Sequence, residues 1–323
     1  MTLKLKTETW IFWLKLSLGL ILVNWLVQSG RLDIASFSSV FSVKNAGPLA
    51  AIFIIQLVSF TIVCARWKVL TKALNIPVSL KTCIKTGYQG LSLSLLVPGS
   101  LGFDGIRILY INNHHKKCKL AGIASVLMDR ILGLVGLLML TVGACGFYWL
   151  LFDEAGLGLL LILSGILLML VIFIIYMLCV VAPKLSYSWI KKYTVVENTL
   201  QAFQIYNNHK LAMLVSTFIS ISGHFIHCIA WLVAINMIGI SPDILGVVAV
   251  TSVITIIRTI PITPLGLGVT DIAAESIYSL IDITAGAEIQ MLIRVVTIIL
   301  LLFFGLSFYN NHRILDSQKT RLT

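Results

Sequence analysis

Residues 157–182 read LGLLLILSGILLMLVIFIIYMLCVVA, a run that contains no charged side chain. An α-helix needs about 20 mostly apolar residues to cross the hydrocarbon core of a bilayer, so this run predicts a transmembrane helix. The same argument predicts five further full spans, at residues 9–27, 48–65, 120–150, 211–239 and 287–308. We therefore predict an all-α integral membrane protein with about six full transmembrane helices.

The composition of the whole chain agrees with this fold class. Of its 323 residues, 58% are hydrophobic and only 11% are charged, whereas soluble domains carry about 25% charged residues. The net charge of +11 comes from Lys and Arg side chains that stand in short loops between apolar runs. This distribution follows the positive-inside rule of membrane proteins and does not resemble the basic face of a nucleic-acid-binding domain. We therefore expect no nucleic-acid partner.

Two further apolar regions, residues 82–112 and 244–283, are interrupted by Pro and Gly near their middles. Each predicts a pair of half-helices in place of a single crossing, which gives six to eight hydrophobic segments in all. Basic clusters, one of them running from Arg66 to Lys85, mark the cytoplasmic side. If every basic cluster lies in the cytoplasm, both termini are cytoplasmic as well. This arrangement is possible only if both interrupted regions return to the side from which they enter. The charge pattern thus predicts two re-entrant hairpins in a multi-pass protein of the cytoplasmic (inner) membrane.

The two interrupted regions carry similar short motifs. PGSLGFD at residues 98–104 and PLGLGVTD at residues 264–271 both read as a proline, spaced glycines and an aspartate that opens the next helix. A single membrane domain would then consist of two halves, residues 1–150 and 151–323, each in the order span, span, hairpin, span. We expect the first hairpin to open from the cytoplasm and the second from the outside. Such inverted repeats are typical of transporters, which bind their substrate at the repeat interface.

The hairpins also carry the candidate binding residues. Breaks in a membrane helix aim helix N-termini, each with about half a positive charge, at an anionic group. Glycines there would let a headgroup approach the backbone closely; the alternative is a kink that improves packing. Ionisable side chains inside spans are costly and usually functional, which singles out Asp129, Arg130 and Arg294. The predicted substrate-binding residues are Pro98, Gly99, Gly102, Asp104, Arg107, Asp129, Arg130, Pro264, Gly266, Gly268, Asp271, Glu275 and Arg294.

Arg130 and Arg294 fall at nearly equivalent places when counted from the hairpin prolines. We expect them to hold a phosphate group, which arginine binds through a bidentate fork. Asp104 and Asp271 would hold the hairpins in register or contact an amine on the headgroup. The alternative, compatible with the first, is a structural network of ion pairs. Its members would be Asp129 or Asp104 with Arg107 or Arg130, and Glu275 or Asp271 with Arg258 or Arg294.

Signals of catalysis, metal binding and cofactor binding are weak in this sequence. It contains no GxSxG, HExxH or Walker motif and no nucleotide fingerprint, so we expect no enzyme and no cofactor. His224 and His227 lie three positions apart without a carboxylate at metal-like spacing. Interhelical hydrogen bonds or a proton relay suit them better than a metal ion. The six cysteines form no CxxC pair and predict no zinc site.

The hairpin motifs resemble a known family. PGSLGFDGIR at residues 98–107, ASVL at 124–127 with DR at 129–130, and PITPLGLGVTD at 261–271 are similar to the flippase-like membrane domain of lysylphosphatidylglycerol synthases. In its pattern of spans the resemblance covers nearly the whole chain. It implies a membrane domain that translocates lipid.

The chain departs from that family's pattern in two motif positions and in one domain. Phe103 stands where the family tends to show a second glycine, and Asp271 stands where it tends to show a glutamate. The soluble aminoacyl-transfer domain of the synthases is absent from these 323 residues. The resemblance therefore implies the lipid-translocating part without the part that makes lysyl-lipid, and it does not carry over lysylphosphatidylglycerol as the substrate.

We predict translocation of an anionic or amphipathic lipid or lipid-linked headgroup, by rocking of the two halves. The expected partners are phosphate-bearing membrane lipids and a separate lipid-modifying or glycosyl-transferring enzyme. Two alternatives stay open. One is an integral membrane enzyme that transfers a group to a lipid or polyprenyl phosphate, with Asp104 and His114 or His115 as its best candidate residues. The other is a non-transporting membrane partner of a lipid or glycan synthase.

Overall fold

The computed structural model describes residues 2–32, 40–95, 101–182, 194–260 and 262–319, and the chain forms no β-strand within these ranges. The prediction of an all-α fold is confirmed. In the described ranges the helices are α1 (Thr2–Gln28), α2 (Ala46–Ala73), α3 (Leu80–Leu93), α4 (Leu101–His114), α5 (Lys119–Phe152), α6 (Ala155–Tyr176, continued by the π-helical turn Met177–Val181), α7 (Thr194–Asn208), α8 (Lys210–Met237), α9 (Ile244–Thr259), α10 (Val269–Tyr278) and α11 (Gly286–Lys319).

Helices α2, α5, α6, α8 and α11 are long and apolar enough to cross a membrane. They coincide with five of the six predicted full spans. The sixth predicted span, residues 9–27, lies within α1, whose described apolar part is the shorter stretch Trp13–Gln28. Large apolar side chains of α6, among them Leu159, Ile166 and Met169, point away from the rest of the protein. Lipid is the surrounding in which so much exposed apolar surface is stable.

Helices α3 and α4 pack against each other as the arms of the first hairpin. Glycines allow their close approach, because a Cβ atom on Gly90 would lie 2.6 Å from the Cα atom of Phe103. A Cβ atom on Gly102 would lie 2.7 Å from the backbone nitrogen of Ser94. Any larger residue would therefore push the arms apart. The tip between the arms, residues 96–100, lies outside the described residues.

Helices α9 and α10 are the arms of the second hairpin, and the 3₁₀ turn Pro264–Gly266 lies between them. Gly266 and Gly268 have φ angles of +72° and +77°, which glycine adopts without the strain that other residues incur. The hydroxyl groups of Thr251 and Tyr278 join the two arms at 2.7 Å. The predicted interruption of this region is therefore present in the fold, while its insertion from the outside stays a prediction.

The helices pack in reciprocal pairs. Helices α2 and α8 cross in close contact, and the hydroxyl of Ser59 donates to the carbonyl of Gly223 at 2.9 Å. Helix α5 packs on α9 of the second hairpin, and α11 packs on α3 of the first hairpin. In the same way, α5 contacts α8, and α11 contacts α2. Two related halves would produce this reciprocity. The division into residues 1–150 and 151–323 and their inverted orientation stay predictions.

Helices α1 and α6, the predicted first spans of the two halves, do not follow this reciprocity. Helix α6 packs along α5, whereas α1 lies on α10 and on the turn before it. A Cβ atom on Gly19 would lie 3.2 Å from the Cβ atom of Leu267, and one on Gly268 would lie 2.5 Å from the Cβ atom of Leu22. Helix α1 therefore covers the turn of the second hairpin.

Candidate functional site

Asp129 on α5 is fully buried and is held by arginines from two neighbouring helices. Arg66 of α2 donates from Nε to Oδ1 at 2.8 Å and from Nη2 to Oδ2 at 2.9 Å. Arg107 of α4 donates from Nη1 to Oδ2 at 2.8 Å. We call these three residues the first ion cluster. Two buried cations share one carboxylate here, so the cluster as a whole is positive.

Aromatic rings enclose Arg107. Its guanidinium carbon lies 3.8 Å from the ring centroid of Phe103 and 5.0 Å from that of Trp67. The indole N–H of Trp67 donates to the hydroxyl of Ser125 at 3.0 Å, which fixes the ring. The faces of aromatic rings attract cations. The two rings therefore help to keep a charged arginine in a place that water does not reach.

Arg66 connects the first ion cluster to α8. Its Nη1 donates to the hydroxyl of Ser220 at 2.5 Å. The guanidinium lies against α5 at Gly133, where a Cβ atom would come within 2.8 Å of Nη1. A single side chain thus joins α2, α5 and α8.

Asp104 and Arg130 form an ion pair at the start of α4, which we call the first hairpin pair. The Nε of Arg130 donates to the two carboxylate oxygens at 2.9 and 3.1 Å. Its guanidinium carbon lies 5.1 Å from the ring centroid of Phe103, so that this ring contacts both Arg107 and Arg130. The side chains of Arg130 and Asp104 are 41% and 21% exposed. This pair is therefore open to its surroundings.

Asp271 and Arg294 form the equivalent pair at the start of α10, which we call the second hairpin pair. The Nη1 of Arg294 donates to both carboxylate oxygens at 2.8 Å, and its Nη2 donates to the hydroxyl of Thr270 at 2.8 Å. The backbone N–H of Gly268 donates to Oδ2 of Asp271 at 2.7 Å. The side chains of Arg294 and Asp271 are only 6% and 2% exposed. In each hairpin, the second arm therefore begins with an aspartate that is held by an arginine of the following span.

Arg258 stands in the last turn of α9, next to the same turn of the chain. Its Nη2 lies 3.3 Å from Nε2 of His227, which also accepts a hydrogen bond from the indole of Trp231 at 3.3 Å. Within the described ranges no carboxylate forms an ion pair with Arg258. Arg258 ends α9 on one side of the hairpin turn, and Arg294 binds Asp271 and Thr270 at the start of α10 on the other side. Of these two arginines, Arg294 is thus paired with Asp271, and Arg258 contacts His227.

The family described as "Lysylphosphatidylglycerol synthase TM region" matches residues 12–305 of the chain. The chain belongs to this family. The match includes the first ion cluster, both hairpin pairs and Arg258. It covers a transmembrane region without a catalytic domain and identifies a multi-pass membrane protein related to lipid metabolism. No curated protein and no solved structure matches the chain significantly.

Three of the ion pairs that the sequence offered as alternatives are present in the structure. Asp129 pairs with Arg107, Asp104 with Arg130, and Asp271 with Arg294. Glu275 does not join them: its carboxylate accepts the backbone N–H of Ala287 at 3.1 Å. Arg130 and Arg294, expected to share a phosphate, are each bonded to the aspartate of a different hairpin.

The predicted glycines and the proline that the structure describes lie at helix contacts and turns. Gly102 is the contact point between α3 and α4, and Gly268 lies against α1. A Cβ atom on Gly266 would lie 2.6 Å from a side-chain carbon of Thr270, and Pro264 opens the 3₁₀ turn. Protein atoms therefore occupy the space beside these glycines. The remaining predicted residues, Pro98 and Gly99, lie outside the described part of the chain.

Sequence reasoning missed one residue of the site. Arg66 was counted with the cytoplasmic basic cluster, but it is buried within α2, which continues to Ala73, and it binds Asp129. A signal for this was present, because Arg66 directly follows the apolar run 48–65 and precedes Trp67 without a helix breaker. The helix therefore continues past the predicted end of the span and carries the arginine inside.

His227 and Arg258 join α8 to α9, which is the kind of interhelical contact expected for this histidine. The sequence alone gave Arg258 only as an alternative partner for Glu275 or Asp271, and the structure pairs it with neither. Among the described residues, no group of three or more His, Cys, Asp or Glu side chains could hold a metal ion.

Proposed function

We propose that this protein moves an anionic or amphipathic lipid or lipid-linked headgroup across the cytoplasmic membrane, with both termini in the cytoplasm. The observation that carries this proposal is the matching of the two hairpin pairs, Asp104–Arg130 and Asp271–Arg294. Each ties the start of a hairpin's second arm to the span that follows. Ionisable residues within a membrane are costly and are characteristic of pathways for polar substrates. Membership of a family related to lipid metabolism supports the same function.

The reciprocal packing supports a rocking movement. In transporters with inverted repeats, one repeat moves against the other around a site at their interface. Here the crossing of α2 and α8 would be that interface, between residues 1–150 and 151–323. The polar contact of Arg66 with Ser220 lies across it. A hydrogen bond of this kind can break and re-form as the halves move.

Arg130 and Arg294 are the residues that we assign to the phosphate. A phosphate group presents pairs of oxygen acceptors to a guanidinium in the same way as a carboxylate does. Each arginine would exchange part of its contact with aspartate for contacts with the headgroup. Asp104 and Asp271 would then hold the hairpins in register. A separate lipid-modifying or glycosyl-transferring enzyme would supply or consume the lipid.

The enzyme alternative built on Asp104 and His114 or His115 has less support. These residues are ten and eleven positions apart on and next to α4, and a rise of 1.5 Å per residue separates their backbones by about 15 Å. The carboxylate of Asp104 is bonded to Arg130, and the ring of His114 stacks on Tyr110 at 4.4 Å. Because these groups do not converge on one point, they are poorly placed to act on a single substrate atom.

Translocation in reconstituted vesicles tests the proposal. Phosphatidylglycerol with a fluorescent tail label is placed in both leaflets, and dithionite bleaches the outer one. We expect wild-type protein to carry label from the inner leaflet to the outer one, either without a gradient or with an imposed proton gradient or membrane potential. Bleaching that equals protein-free vesicles under all these conditions would contradict the proposal.

A charge-conserving variant tests the arginine assignment. Arg294→Lys keeps the positive charge but loses the bidentate fork, and we expect it to slow translocation at least about tenfold. The matched control is Arg31→Lys, at an exposed arginine beyond the end of α1, which should leave the rate unchanged. Equal rates for Arg294→Lys and wild type would remove Arg294 from the site.

A further inference from the structure

The charges among the helices near the hairpins are unbalanced. Among the described residues around the first ion cluster and the second hairpin turn, four buried or half-buried arginines face two buried aspartates, while the half-buried Glu275 binds the backbone N–H of Ala287. The arginines are Arg66, Arg107, Arg258 and Arg294, and the aspartates are Asp129 and Asp271. Two positive charges therefore lack a negative partner. The half-exposed first hairpin pair is neutral and does not change this balance.

Each of the two buried aspartates accepts three hydrogen bonds. Asp129 accepts three hydrogen bonds from Arg66 and Arg107. Asp271 accepts two from Arg294 and one from a backbone N–H. Both oxygens of each carboxylate are thus bonded to donors. An amine that entered here would have to compete with arginine for either of these two carboxylates.

Two buried donors, one on the histidine that contacts Arg258 and one on Arg294, have no hydrogen-bond partner in the described part of the chain. Nε2 of His227 receives the indole N–H of Trp231 and faces a guanidinium N–H of Arg258. Because Nε2 acts as the acceptor, the ring proton of neutral His227 stands on Nδ1, and this buried nitrogen has no partner in the described part of the chain. The buried Nε of Arg294 likewise has none there. Unpaired donors and unbalanced positive charge together favour an anion.

We infer that the headgroup is a phosphate-bearing anion without a free amine, and that its negative charge binds at Arg258, across the hairpin turn from Arg294. This inference rests on the proposed translocation and makes its substrate class narrower. Arg258 suits this role because it is half-buried, lies at the end of α9 beside the hairpin turn, and has no described carboxylate as its partner. A phosphate there would supply the negative charge that the protein lacks.

The same arrangement disfavours lipids that carry ammonium groups. Like charges repel strongly where little water screens them, and an ammonium group here would meet arginines. A lysyl ester of phosphatidylglycerol carries two ammonium groups, which makes its headgroup cationic. Phosphatidylethanolamine carries one. Asp104 is the more exposed acid of the two hairpin pairs, and an ammonium group there would have to compete with Arg130 for its carboxylate.

Parallel translocation assays test this inference. Tail-labelled phosphatidylglycerol, phosphatidylethanolamine and lysylphosphatidylglycerol are each placed as traces in otherwise identical phosphatidylcholine vesicles that contain wild-type protein. We expect phosphatidylglycerol to move at least about tenfold faster than either amine-bearing lipid. If an amine-bearing lipid moves as fast or faster, the inference is overturned and translocation still stands. If no lipid moves, the proposed function fails, and this inference fails with it.

Variants at Arg258 test the location of the site. Arg258→Gln should reduce the rate for phosphatidylglycerol at least about fivefold and abolish the preference, whereas Arg258→Lys should retain the preference because the charge remains. Lys44→Gln, which removes an exposed cation near the start of α2, is the matched control and should behave as wild type. An unchanged preference in folded Arg258→Gln would overturn the assignment of Arg258.

Native mass spectrometry decides the case in which Arg258→Gln does not fold. Wild-type protein and Arg258→Lys are incubated with equal amounts of phosphatidylglycerol and phosphatidylethanolamine, and the retained lipids are counted. Enrichment of phosphatidylglycerol at least about fivefold on both proteins supports the inference. Equal retention of the two lipids overturns it.

Discussion

The two hairpin pairs contain the same chemistry in different surroundings. Arg130 and Asp104 are 41% and 21% exposed, whereas Arg294 and Asp271 are 6% and 2% exposed. The second pair also gains a threonine hydroxyl and a backbone N–H as partners. One pair is therefore reachable from the surroundings of the protein, and the other is sealed.

Helix α1 accounts for part of this difference. Gly19 and Leu22 of α1 lie directly on Leu267 and Gly268 in the turn of the second hairpin. The corresponding first span of the other predicted half, α6, lies along α5 instead. The second turn thus has a cover made by a whole helix.

The comparison teaches that equivalent sequence motifs can be in different states within one conformation. A transporter that alternates its access needs one side open while the other is closed. On our proposal, the exposure of the two hairpin pairs would exchange during the cycle. Helix α1 would have to leave the second hairpin before its pair could open.

The largest effect should come from the most buried acid. Asp129→Ala leaves Arg66 and Arg107 without their counter-charge, and we expect it to lower the free energy of unfolding by about 3–5 kcal/mol. The comparison variant Asp104→Ala breaks a partly exposed pair and should cost less than about 1 kcal/mol. Thermal unfolding in detergent, followed by circular dichroism, measures both. Equal losses of stability in the two variants would contradict the expectation that the more buried ion pair contributes more to stability.

The hairpin pairs themselves should differ in the same direction. Arg294→Ala leaves the buried carboxylate of Asp271 uncompensated, so we expect a loss of about 3 kcal/mol in the free energy of unfolding. The loss for Arg130→Ala, at a half-exposed pair, should stay below about 1 kcal/mol. Adding Asp271→Asn to Arg294→Ala should recover stability, because no buried charge is then left alone. A double variant that is less stable than Arg294→Ala would refute this explanation.

Smaller effects are expected from the glycines of the two turns. Gly102→Ala would place a Cβ atom 2.7 Å from the backbone of Ser94, and Gly268→Ala would place one 2.5 Å from the Cβ atom of Leu22. We expect each to lower the free energy of unfolding by about 1–3 kcal/mol. Gly105→Ala is the control, since its Cβ atom would meet no atom within 4 Å. A Gly105→Ala variant as unstable as the other two would contradict the packing argument.

Much of the fold could be predicted from the sequence because lipid imposes strict rules on composition. The uncharged run 157–182 becomes α6 with its π-helical end, and the interruption around Pro264 separates α9 from α10. Charged residues are rare inside apolar runs, which is why Asp129, Arg130 and Arg294 stood out before their partners were known. The coarse architecture and the ionic character of the site thus follow from local sequence.

The pairing within the site could not be predicted, because it depends on how distant helices cross. Arg66 and Asp129 are 63 positions apart in the chain, and no local pattern links them. Arg66 also stands just before Lys68 and Lys72, so that charge patterning alone assigned it to the cytoplasmic surface. The roles of Gly102 and Gly268 as contact points likewise depend on which helices lie against them.

A reversible cross-link between α1 and the second hairpin tests the central claim most directly. Gly19→Cys with Leu267→Cys places two thiols on positions whose Cβ atoms would be 3.2 Å apart, close to the range that a disulfide requires. We predict that oxidation stops the translocation of tail-labelled phosphatidylglycerol and that reduction restores it. In the two variants that carry only one of the added cysteines, the oxidant should leave the translocation rate unchanged. Unchanged translocation in protein that mass spectrometry shows to be fully cross-linked would contradict the alternating account.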